Sequence, residues 1–149
     1  MDTNKMIFTL FLIVGTLVQA QKIDYNTKKG YAVNGYDVVS YFDGLPKEGD
    51  EEYVVTYDHV KFKFANLPNK KRFVDNFVKY LPQYGGYCAY AVAINAKKVD
   101  VNPETYEIRD GKLYLFYNRG KNNTLQFWLN ESPKDLKCKA DKNWEKIKN

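Results

Sequence analysis

The sequence predicts an α+β fold, a small single domain of short antiparallel hairpins packed with several helices. Three observations predict it. Val60, Phe62 and Phe64 alternate with Lys61, Lys63 and Ala65 in the period-two pattern of a half-buried strand. Asp110-Gly111 stands between Tyr106–Ile108 and Leu113–Tyr117 as the centre of a tight hairpin. Leu136, Ala140, Trp144 and Ile147 recur at helical spacing.

Along the chain, residues 21–30 read as an arm leading into a domain over 31–149. Tyr31-Ala32-Val33 is a short strand, and Gly35-Tyr36-Asp37 is a turn-like break before the apolar run Val38–Phe42. Glycine, proline and aspartate over 44–50 make a loop. Tyr53–Thr56 and Val60–Ala65 pair as a hairpin around Tyr57-Asp58-His59. Asn66, with Pro68 two residues on, starts a helix carrying Phe73, Phe77 and Tyr80 on one face. Pro82 stops that helix, and residues 84–96 form a second, more buried one. Asn102-Pro103 breaks the chain ahead of the Asp-Gly hairpin. A helix follows within 118–130, carrying Leu125, Trp128 and Leu129. Ser132 caps the last helix ahead of Pro133.

The first 20 residues carry a short charged start, an apolar run over 6–18 and Val18-Gln19-Ala20 before a cut. That is the layout of a secretory signal peptide, and the run is shorter than the roughly 20 residues a membrane span needs. The expected mature chain is therefore exported, periplasmic or extracellular, with no transmembrane segment. The net charge is +5, but the lysines are scattered. A nucleic-acid footprint needs a contiguous basic stripe, so that partner is not expected. Thirteen tyrosines supply apolar area with polar tips, suited to a half-polar core, a shallow pocket or an interface.

Cys88 closes the stretch Tyr84-Gly85-Gly86-Tyr87-Cys88, where two glycines allow a tight bend. Its thiol reads either as a small buried hydrophobe or as a soft ligand for copper or zinc. His59 is the only histidine and the only imidazole that could join it. One cysteine and one histidine do not complete a structural zinc site, but they suit a two-coordinate copper site. A disulfide between Cys88 and Cys138 would contribute on the order of 4 kcal/mol, and only geometry decides whether the two meet. Tyr84, Gly85, Gly86 and Tyr87, with Tyr36 and Asp37, make up the candidate ligand pocket. Asp37 also reads as a turn cap. No nucleophile-and-base pattern, phosphate loop or H-E-x-x-H motif occurs, so catalysis is not expected.

Several runs together resemble the family of exported YHS domain proteins. They are Val33-Asn34-Gly35-Tyr36-Asp37-Val38-Val39-Ser40-Tyr41-Phe42, then Phe62-x-Phe64-Ala65-Asn66, then Tyr84-Gly85-Gly86-Tyr87-Cys88-Ala89. Asp110-Gly111-Lys112-Leu113-Tyr114-Leu115 and Ala140-Asp141-x-Asn143-Trp144 extend the likeness over roughly residues 30–147. The Tyr-His-Ser signature itself is absent. YHS modules often accompany metal-handling proteins, copper transporters especially, so the resemblance implies copper association near Cys88. Metal-binding members cluster more than one cysteine, whereas this motif holds Cys88 alone. The expectation is a non-catalytic module that binds a metal ion or a small ligand. A protein-interaction domain with no small-molecule site is the alternative, and a thiol enzyme is a weaker one.

Overall fold

The structure, a computed structural model, describes residues 22–149. The expected signal peptide lies outside the described residues. The architecture is α+β. Strands β1 (Thr27–Lys28), β2 (Tyr31–Ala32), β3 (Asp50–Tyr57) and β4 (Val60–Phe64) form one sheet in the order β1-β2-β4-β3. Only the β2–β4 pair is parallel. The alternation read along β4 is real: Val60, Phe62 and Phe64 are buried while Lys61 is exposed. Asp58 and His59 close the β3–β4 hairpin with positive φ at both positions, the twist that suits two-residue hairpins.

The segment over 21–30 is more than a lead-in. Besides pairing β1 with β2, it buries Tyr25. The Asp24 amide donates to the Lys148 carbonyl, and the Asn26 amide donates to the Gly85 carbonyl.

Helix α1 (Leu67–Asp75) starts where the sequence places it, and the Asn66 side chain accepts from the Asn69 amide. Phe73 on α1 packs on Phe62 and Phe64, with ring centroids 5.1 and 5.0 Å apart. The spacing of Phe73, Phe77 and Tyr80 suggests one helix, but Asn76 divides it. Its backbone leaves the helical region and its side chain caps a separate turn, α2 (Phe77–Tyr80). A side chain that bonds nearby amides competes with helix continuation.

The second half is built around the hairpin of β5 (Asn102–Arg109) and β6 (Lys112–Phe116), closed by Asp110-Gly111 as expected. Asn102-Pro103 does not break the chain. It opens β5, and the ladder shifts register between Asn102 and Tyr106, where Pro103 has no amide hydrogen to offer. Residues 84–96 are not one helix either. A 3-10 turn over Gln83–Gly86, left-handed at Tyr84 and Gly85, precedes α3 (Ala89–Asn95). A short β7–β8 pair (Asn118–Arg119, Asn122–Asn123) then leads into α4 (Thr124–Asn130) and α5 (Pro133–Ile147). Ser132 precedes α5, but its hydroxyl donates to Asp135 rather than accepting a backbone amide.

Two apolar cores meet at β6. Leu113 and Leu115 enter the first, with Val38, Phe62, Phe73 and Cys88. Tyr114 and Phe116 enter the second, with Val92, Trp128, Leu136 and Trp144. This accounts for an unbroken apolar run where a half-buried strand would alternate. Pro82 bridges to Leu113 and Cys88 to Leu115. The backbone between them therefore arches away from β6 and returns to it, which positions the site.

A candidate ligand cleft at the Tyr84–Gly85 arch

The arch is held by its backbone. Tyr84 has φ 53° and Gly85 has φ 60°. A left-handed tyrosine is uncommon and persists only where its surroundings over-determine it. Those surroundings are visible. The Asn26 amide donates to the Gly85 carbonyl at 2.8 Å, and Asn26 Nδ2 donates to the Gly86 carbonyl at 3.2 Å. A Cβ on Gly85 would collide with the Asp24 carbonyl oxygen and come within 3.2 Å of the Trp144 ring. Glycine is the residue that admits this approach.

A cleft of about 430 Å³ opens beside the arch. Tyr84 and Gly85 form one wall, Asp141 and Trp144 of α5 another, and Tyr25 and Lys112 contribute to the rest. The Tyr84 hydroxyl donates to Asp141 Oδ1 at 2.9 Å, and Lys137 Nζ donates to Asp141 Oδ2 at 2.8 Å. Burial, and then the bond to Asp141, hold the Tyr84 phenol far above its usual range. Burial, then Asp24, push Tyr87 up to about 12; its hydroxyl donates to Asp24 at 3.1 Å.

These shifts set an alkaline limit. A tyrosine whose folded pKa is raised keeps its proton longer folded than unfolded. Its stabilisation is complete below the unfolded value near 10 and is lost as the pH climbs toward the folded one. Tyr25 and Tyr41 are raised in the same sense, chiefly by burial. Unfolding is therefore expected to set in above about pH 10. A spectrophotometric titration should show late phenolate absorbance rising together with loss of near-UV dichroism. Full ionisation of the tyrosines with the fold intact would contradict this.

The residues singled out in the sequence fall into separate places. Cys88 is fully buried in the first core. Its Sγ lies 3.3 Å from Thr124 Oγ1, whose own hydrogen is given to the Tyr117 carbonyl at 2.8 Å. The threonine oxygen is thus the acceptor and the Cys88 thiol the donor. Cys138 is exposed on α5, and the two cysteines are free, so the disulfide left open by the sequence does not form. His59 is exposed on the β3–β4 turn, 3.3 Å from Asp58, with its ring edge-on to Tyr25. The neighbours of Cys88 and His59 therefore differ. Among the described residues no group of three or more histidine, cysteine or acidic side chains converges on a point that could hold a metal.

Asp37 is also fully buried, and its carboxylate accepts from Val39, Ser40, Ala65 and Asn69. It is a tie between segments, its hydrogen-bond partners being donors from its own turn, the end of β4 and α1. Tyr36 lines a different cleft of about 460 Å³, beside Tyr31 and Lys63. Of the expected pocket, Tyr84 and Gly85 therefore line the arch cleft. Gly86 and Tyr87 flank it.

Asp141, Trp144, Lys137 and Lys112 were missed as site residues. Lys137, Asp141 and Trp144 follow i, i+4, i+7 spacing, a polar edge beside the apolar face of α5 that the sequence shows.

A direct consequence concerns thiol chemistry. The native protein should consume one equivalent of a thiol reagent, at Cys138, and a second only on unfolding. Titration with Ellman's reagent, with and without denaturant, measures both. Fast reaction of Cys88 in the native state would contradict its burial.

Comparison with family models, curated proteins and solved structures finds no match.

Proposed function

We propose that this chain is an exported, non-catalytic binding module of the YHS-domain kind, and that its ligand is a small molecule held in the cleft at Tyr84 and Gly85. The single observation that supports the site is a strained, over-determined backbone forming the wall of a cleft. Tyr84 is fixed by its left-handed backbone, by Asp141 and by ring contacts to Tyr114 and Trp144. A wall fixed before the ligand arrives loses little conformational freedom on binding. The residue runs that resemble YHS domains support the module type.

Copper held by Cys88 is not part of this reading. The sulfur is closed in by the first core and already donates to Thr124. A non-catalytic role is supported by the same contact, because a thiol nucleophile needs a neighbouring base and Cys88 has a hydroxyl acceptor instead.

The test is a fragment screen on the isotope-labelled protein, using small aromatic acids, amides and amines. Binding should move the amide signals of Tyr84 and Gly85 and the indole signal of Trp144 before any others. Fragments that bind only elsewhere, or nowhere, would remove the cleft as the site. Titration with Cu(I) against a competing chelator should give no Cys88-dependent binding. Stoichiometric binding lost in Cys88→Ser would restore the metal reading.

A further inference from the structure

We propose that the solvent face of α1 and α2 docks peripherally on an anionic lipid bilayer. Val74, Phe77 and Val78 enter the headgroup layer, and Lys70 and Lys71 meet lipid phosphates. This site is separate from the arch cleft, and either can fail without the other.

Asn69 and Phe73 are the buried residues of α1 and set which side of the helix faces the core. Leu67, Lys70, Lys71 and Val74 follow i, i+3, i+4, i+7 spacing and so share another side. That side is apolar as well as basic. Leu67 is 46% exposed and Val74 56%. Asn76 ends α1, and the turn of α2 adds Phe77 at 36% and Val78 at 72%. Val78 is the most exposed large apolar side chain among the described residues. Phe77 is mounted firmly, its ring 4.4 Å from that of Tyr57.

The charge left over on this face is positive. Lys70, Lys71, Arg72 and Lys79 stand against Asp75 between residues 66 and 81. Arg72 is taken by Asp43 at 2.7 Å. Lys70, Lys71 and Lys79 join none of the ion pairs among the described residues. Of the acids on β3 and its turn, Glu51 lies 3.4 Å from Lys63 and Asp58 lies 3.3 Å from His59. Asp50 and Glu52 stand at the Phe64 end of the sheet, whereas Phe77 stands at the Tyr57 end.

This combination selects among occupants. A second copy meeting the face across a two-fold axis would set Lys70 and Lys71 against their own counterparts. The cores of protein interfaces favour aromatic residues and arginine and are poor in lysine. Here the exposed apolar groups are mostly aliphatic and lysines lie between them. A bilayer suits both: its interface takes the aliphatic tips, while lysine stems lie along the apolar layer and their ammonium groups reach outward to phosphate. Anionic headgroups add attraction for each lysine near the surface.

The experiment is co-sedimentation of the purified protein with vesicles of phosphatidylcholine, alone or with one lipid in four phosphatidylglycerol. Binding to the anionic vesicles is expected to be at least tenfold tighter, with a preference that shrinks as salt is raised. Lys70→Gln with Lys71→Gln should weaken it about tenfold. Val78→Asp should abolish it and leave the melting temperature unchanged, because the position is exposed. A polarity-sensitive dye at Val78→Cys, in a Cys138→Ser background, should shift to the blue on anionic vesicles. The same dye on Cys138 of the unaltered protein should not, since that thiol is exposed on α5; Cys88 is buried and stays unlabelled.

Equal binding to the two vesicle types, or binding untouched by the α1 and α2 substitutions, would overturn the inference, since another segment would then hold the membrane. Salt-sensitive adsorption with no dye shift at position 78 would overturn it too, because charge alone would be acting. A dimer that Val78→Asp dissociates, with no vesicle binding, would replace the bilayer with a second copy. No binding to either vesicle would end the proposal. If Val78→Asp fails to fold, the lysine pair and the dye still decide.

Discussion

Asp37→Ala is expected to destabilise the protein by about 4 kcal/mol. The carboxylate accepts from the Val39 and Ser40 amides through Oδ1, and from the Ala65 amide and the Asn69 side chain through Oδ2. Those donors belong to the turn after β2, the end of β4 and the first turn of α1. Asp37 is fully buried, so water cannot replace it at those donors. Each donor left unsatisfied costs about 1–3 kcal/mol, and four lie around one vacated position. Asp37→Asn keeps the shape but turns an amide hydrogen toward other donors, so a loss of about half that size is expected. Urea unfolding curves measure both. A loss under about 1 kcal/mol for Asp37→Ala would mean that the tie is not needed.

Gly85→Ala is expected to cost about 3 kcal/mol and to abolish fragment binding at the cleft. Two costs combine. The φ of 60° is unfavourable for any residue with a Cβ, by about 1–2 kcal/mol. The new methyl would also run into the Asp24 carbonyl and press on Trp144, and overpacking of that kind costs about 1–3 kcal/mol. Relief would require the arch to lift away from the 22–28 segment, which breaks the Asn26–Gly85 bond and opens the cleft wall. Gly86→Ala is the control. Its φ is 84°, but the nearest atom to a new Cβ is 3.5 Å away, so only the backbone cost of about 1 kcal/mol applies. Equal effects at the two glycines would show that close approach at Gly85 is not what fixes the arch.

Much of this fold was legible in the sequence because local chemistry decides it. The β4 alternation, the Asp110-Gly111 turn and the Asn66 cap each depend on residues within a few positions of one another. The misreadings share a cause. Asn76, Pro103 and Tyr84 each obey a contact or a backbone state that spacing does not encode. Nothing near Tyr84 in sequence announces a left-handed tyrosine; it is imposed by Asn26, Asp141 and Trp144, each 57 or more positions away and outside any local window. The site was legible in the same partial way. The Gly-Gly bend marked the arch, yet the thiol beside it turned inward. The opposite wall came from α5, where Asp141 and Trp144 read as ordinary members of an amphipathic helix. His59 stood out only for being the sole imidazole, and composition says nothing about where a side chain points.

The double burial of β6 bears on how the molecule comes apart. Leu113 and Leu115 are locked on one side, Tyr114 and Phe116 on the other. Neither half can release this strand without exposing the apolar surface of its neighbour, so partial melting of either half is penalised. Deuterium should enter the backbone amides of 113–116 only through openings that engulf the entire domain, at a free energy equal to that of complete denaturation. The described residues are expected to unfold as one cooperative body because a single strand belongs to two interiors.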